Sequence, residues 1–137
     1  MRARLLVLVA ALLLPLGLLT MASQPAQAAS GIRVNLAEIK QSNAALTSKY
    51  SYLSSHRTWK AWKPRIAPVS NEMSTIQQAI GSGQAAQTVE RARSAFVSYA
   101  RAHRYAKALS ALRNLIKAVN RMIDSHDRAN WCATHLC

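Results

Sequence analysis

From Gln84 to Cys137 the chain holds neither glycine nor proline, so helix propensity alone would draw a single long rod. The apolar residues forbid it. Ala85, Val89, Ala92, Phe96, Tyr99, His103 and Ala106 recur at steps of three and four, and so do Tyr105, Leu109, Leu112, Ile116, Val119, Ile123 and His126. At about 100° per residue the centres of the two series fall nearly opposite each other on a helical wheel. One straight helix cannot turn both toward the same core. The pattern therefore predicts a break or tight turn near Ala102–Tyr105, which makes two helices of this stretch. The other solution is an unbroken helix buried from two sides in a homodimer.

The preceding residues carry the same periodicity. Asn35 and Glu38 stand at capping-box spacing, with Asn as the cap. Leu36, Ile39, Asn43, Leu46, Tyr50 and Leu53 then form one stripe on a helix predicted over 35–56. Asn43 is its one polar member, and a buried Asn of this kind fixes register at some cost in stability. Pro64 and Pro68 read as a connection, since each disfavours helix at the residue before it. Ser70 then reads as the cap of a short second helix with Glu72 in its first turn and Val69, Met73, Ile76 and Ile80 as its stripe. Gly81-Ser82-Gly83 ends it. Strand-like alternation is absent. The expected fold class is all-α: a small antiparallel helical bundle of three to four helices following a cleaved signal peptide.

That signal peptide is read from the first 28 residues. Arg2 and Arg4 precede an apolar run from Leu5 to about Leu19, and Ala26-Gln27-Ala28 supplies a small-residue cleavage site. The run is shorter than the roughly 20 residues a bilayer span needs, and Pro15 and Gly17 interrupt it, which argues against an uncleaved anchor. Cleavage after Ala28 leaves residues 29–137 as a single helical domain, secreted, with a short cysteine-containing C-terminal tail. A chain of this size builds one core.

Charge narrows the partner. Against 18 Lys and Arg there are five Asp and Glu, a net charge of +13, and the signal peptide accounts for two of the cations and none of the acids. Such a field attracts polyanions. The acids are also unevenly placed: none lies between Glu38 and Glu72, and none between Glu90 and Asp124. Within the first gap, His56-Arg57-Thr58-Trp59-Lys60-Ala61-Trp62-Lys63-Pro64-Arg65 sets two indoles among cations. Indole rings favour membrane interfaces and stack on bases or sugars, while Lys and Arg attract phosphate or anionic lipid. Arg57, Trp59, Lys60, Trp62, Lys63 and Arg65 are thus the first candidate binding residues. Alternatively Trp59 and Trp62, three apart, close one end of the core. Arg113, Lys117 and Arg121, with Arg128, form a second basic row opposite the apolar stripe of the last helix, where Asp124 can pair with Arg121 or Arg128. With Arg93, Arg101 and Arg104 they would make an elongated positive surface. Sequence-specific nucleic-acid signatures are missing.

The remaining chemistry is thin. Cys132 and Cys137 read as one disulfide in an oxidising compartment, closing a small ring that ties off the tail, provided the helix ends before Cys132. His126, Cys132, His135 and Cys137 also offer four metal ligands, at spacings that match no standard zinc pattern. Asp124-Ser125-His126-Asp127 has triad residue types, but sequence neighbours on a helix point apart. Paired-carboxylate, phosphate-loop and nucleophile motifs are not found, so no enzyme and no cofactor is expected. The expected function is a secreted, non-enzymatic cationic binding protein associating with an anionic envelope polymer or lipid surface, or with an acidic protein. The alternatives are a protein-interaction module, such as an inhibitor or a homodimeric structural component built on an exposed second stripe, and a metal- or haem-binding exported protein.

Overall fold

Asn35 starts the first helix as its spacing to Glu38 predicts: its Oδ1 accepts from the Glu38 N–H at 3.3 Å and its Nδ2 donates to Glu38 Oε2 at 3.1 Å. The computed structural model describes residues 34–135 and 137, and the expected signal peptide lies outside the described residues. Among these residues there are four helices and no strand: α1 (Leu36–Ser55), α2 (Trp59–Ile80), α3 (Gln84–Arg101) and α4 (Tyr105–Thr134). Each helix packs against its neighbours in sequence, and α1 closes the ring on α4. The short turns make the arrangement an up-down-up-down antiparallel bundle. None of the four helices is long and apolar enough to cross a membrane.

The break inside the Gly- and Pro-free stretch is present, and the two opposed stripes explain it. Phe96 and Ala100 on α3 and Ala108, Leu109, Leu112 and Ile116 on α4 are all buried in the same core, which only a reversal of direction allows. Ala102-His103-Arg104 makes that reversal. Arg104 N–H donates to Tyr99 C=O at 2.8 Å and His103 N–H to Ala100 C=O at 3.1 Å, the paired bonds of a Schellman cap. His103 sits at the left-handed position of that motif with φ 58°, where glycine is usual. The unbroken helix of the dimer reading is not present among the described residues: Gln84–Arg101 and Tyr105–Thr134 are separate helices.

The second correction concerns the prolines. Pro64 and Pro68 do not form a connection: α2 runs through both, and its cap is Thr58, whose side chain accepts from the Ala61 N–H at 3.4 Å, not Ser70. Each proline removes one helical hydrogen bond and crowds the preceding turn, at about 3 kcal/mol. The carbonyls they orphan belong to Lys60 and Pro64, and Lys60, Pro64 and Pro68 lie four apart on the exposed face, the side of a helix on which carbonyls can turn toward solvent. The opposite face buries Trp62, Ile66, Val69, Met73 and Ile76, each contributing about 2 kcal/mol. That burial outweighs the two lost bonds.

Asn43, 4% exposed, does face a partner helix: its Nδ2 donates to Asn120 Oδ1 on α4 at 2.6 Å. Lys40–Asp127 (2.8 Å) and the bond from Arg113 Nε to Tyr50 Oη (2.7 Å) span the same α1/α4 seam. These three ties run antiparallel along the seam and fix its register. They also show that α4 outruns the bundle. Past Ile123 every described residue of α4 is exposed, and the tie to α1 there is the surface ion pair Lys40–Asp127.

Candidate polyanion-binding site

Two short turns share one end of the bundle: His56-Arg57-Thr58 between α1 and α2, and Ala102-His103-Arg104 between α3 and α4. The indole of Trp62 anchors the first. Its ring is fully buried, tilted against Tyr105 at 4.6 Å and stacked with Phe96 at 6.1 Å, and its N–H donates to the His56 carbonyl at 2.7 Å. The His56 ring in turn lies flat on Tyr52 at 4.0 Å. The two turns touch through aromatic rings: Trp59 packs on His103 at 4.6 Å, and His103 lies 5.9 Å from Tyr105.

This juxtaposition has an electrostatic consequence. Each acid-free interval of the sequence contains one of these turns near its middle. Folding into hairpins therefore stacks both intervals at the same pole. Arg57, Lys60, Lys63, Arg101, Arg104 and Lys107 are all exposed there. Among the described residues the ion pairs are Lys40–Asp127, Lys49–Glu72 and Arg93–Glu90, and none involves a cation of this pole. Glu38, Asp124 and Asp127 stand at the other end. The bundle is thus polarised along its axis, with Trp59, 36% exposed, at the centre of the positive end.

The candidate residues separate on this frame. Arg57, Trp59, Lys60 and Lys63 come together at the pole. Trp62 does not join them: it is a core residue whose ring cannot reach a surface, which corrects its assignment as a contact residue. Arg65 is half-buried, its guanidinium 3.7 Å over the Tyr52 ring and bonded to Ala61 C=O, so it stiffens the end of α1 rather than facing outward. Arg113, Lys117 and Arg121 are exposed on α4 but away from the turns, and Arg113 is committed to Tyr50. Asp124 pairs with neither Arg121 nor Arg128 among the described residues; the carboxylate held in an ion pair is Asp127, on Lys40. Lys107 and His103 are pole residues that the sequence reading did not select, although the predicted turn near 102–105 in the middle of an acid-free interval carries the signal for them. His103 and His126, placed on apolar stripes by periodicity, are both exposed: one lies in the turn, the other beyond the end of the core.

A groove of about 1040 Å³ opens from this pole along the α2/α3 seam. Its floor is Ile66 and Val97. Trp59, Lys63 and Arg101 stand at the end nearest the turns, and Ser70, Asn71 and Ser94 line the far end beside Arg93. Arg93 is neutralised by Glu90 through two bonds of 2.8 and 2.9 Å, so the uncompensated charge of the groove sits at its mouth.

At the opposite pole the sulfurs of Cys132 and Cys137 lie at disulfide distance, with Cα atoms 5.2 Å apart. The helix does not end before Cys132; it continues to Thr134, and the turn that brings the cysteines together falls between them. His126 Nδ1 meets Asn130 Nδ2 at 3.1 Å while Asp127 holds Lys40, so the triad residue types of this segment face different partners. Comparison with protein-family models, with curated proteins and with solved structures gives no match to this chain.

Proposed function

We propose that this is a secreted, non-enzymatic binding protein that sets its acid-free pole against a polyanionic surface of the cell envelope. The observation that carries the reading is the convergence of the two acid-free intervals at one end of a polarised bundle. A dipolar molecule of this kind is oriented by a negative surface before contact, and each Lys or Arg near such a surface contributes about 1 kcal/mol. Trp59 is the aromatic group placed to follow the cations into an interface. Export is the expectation from the first 28 residues and supplies the compartment in which envelope polyanions are met.

The test is co-sedimentation of residues 29–137 with phosphatidylglycerol-containing vesicles, with neutral phosphatidylcholine vesicles and with an immobilised acidic polymer, across a salt series. Binding to the anionic surfaces that weakens steeply as the Debye length falls from about 30 Å at 0.01 M to about 8 Å at 0.15 M supports the reading. Equal binding to neutral surfaces rejects it, and so does indifference to every anionic surface at low ionic strength.

A further inference from the structure

We infer that the α2/α3 groove is the seat of a linear acidic carbohydrate chain, which enters at the basic pole and runs between the two helices. The inference rests on the polyanion-binding reading and narrows it from a surface to a strand of polymer. A flat bilayer meets the pole, whereas an extended chain can also lie along the open groove between the two helices. The lining suits such a chain in order along its length. At the mouth, Trp59 presents an indole beside Lys63 and Arg101: an aromatic face for a sugar ring and two cations for its carboxylate or phosphate. From Arg101 to Arg93, and from Lys63 to Asn71, is eight residues of helix, about 12 Å of axial length. Over that distance the lining changes from cationic to neutral hydrogen-bonding groups, Ser70, Asn71, Ser94 and Ser98, which fit sugar hydroxyls. Ile66 and Val97 supply the apolar floor over which sugar C–H faces lie. Because Glu90 cancels Arg93, the groove is charged at one end only, so the chain's acidic groups concentrate at the pole.

Two polymer chemistries share these features, a uronate chain and a sugar–phosphate chain, and they are distinguished by probe. Titration calorimetry of residues 29–137 with a polygalacturonate oligomer, with a glycerol-phosphate oligomer bearing sugar, with neutral dextran, and with phosphatidylglycerol vesicles reads the four outcomes. Binding of either acidic oligomer, but not of dextran, is expected. Ser98→Trp fills the groove from an exposed position without changing charge; it should lower oligomer affinity about tenfold while vesicle binding persists. Lys63→Glu provides a second test should Ser98→Trp disturb the helices. It should cost about tenfold more oligomer affinity than Arg128→Glu, which makes the same change in net charge at the other pole. Oligomer binding unaffected by Ser98→Trp, or equal losses in Lys63→Glu and Arg128→Glu, overturns the groove. Vesicle binding without oligomer binding also overturns it and leaves the polar surface reading standing; failure to bind either overturns both.

Discussion

The two poles of this bundle are built from the same helices and differ in almost every other respect. At one, two tight turns meet over a buried indole, every charged residue is a cation, and the rings of Trp59 and His103 lock the turns together. At the other, α4 runs past the bundle, acids and bases are mixed, and two cysteines at disulfide distance lie in a tail in which Trp131 is 59% exposed. What the contrast teaches is that net charge alone says little. A chain of +13 could spread its cations evenly; here hairpin topology turns a linear unevenness of acids into a dipole along the bundle axis.

The largest effect should come from the indole buried beneath the turns. Trp62→Ala leaves a cavity among Tyr105 and Phe96 and orphans the His56 carbonyl, at about 3–5 kcal/mol, read by chemical denaturation. Trp59→Ala should change stability by less than about 1 kcal/mol yet lower binding to anionic vesicles. Comparable stability losses in the two variants would erase the division between core indole and surface indole.

Next in size is charge. Reversing Lys60 and Arg104 together should weaken vesicle binding at low salt by at least about thirtyfold, from the loss of about 1 kcal/mol of attraction per cation. Reversing Lys117 and Arg121, which are equally exposed but distant from the turns, should do less. Equal losses would mean that total charge governs binding and the pole has no special standing.

The smaller effects test the turn and the tail. His103→Gly should relieve a left-handed backbone worth about 1 kcal/mol and lose the contact with Trp59, so that stability barely moves while the two turns become less tightly coupled; faster amide exchange at residues 102–104 would report it. Cys132→Ser should leave the global melting transition within about 1 kcal/mol of the parent, because the last turn of α4 lies outside the core and frays locally. A large loss of stability there would show that the tail is part of the cooperative unit.

Much of this was readable from the residues. The opposed stripes located the turn at 102–105 although no glycine marks it, and Asn35 with Glu38 located the first cap. The prolines were misread because their rule concerns the lost hydrogen bond, not the side of the helix on which it is lost. The correcting signal was also in the sequence: the stripe Val69, Met73, Ile76 and Ile80 extends backward through Ile66 to Trp62 at the same steps of four and three. Following it would have started α2 at Trp59 and put Trp62 inside. The meeting of the two acid-free intervals was legible only in part, since periodicity gives the turns but pairing of the turns at one pole requires the antiparallel ring. The α2/α3 groove could not be read at all, because its depth depends on which small side chains of two helices face each other across a seam.

The most direct test of the polar account is a residue-by-residue map of contact. Backbone amide shifts of residues 29–137, followed by NMR on titration with an acidic polymer at low salt, should move most over His56–Lys63 and Arg101–Lys107. Shifts centred on the end of α4 around Trp131, or spread evenly over all exposed cations, would contradict it.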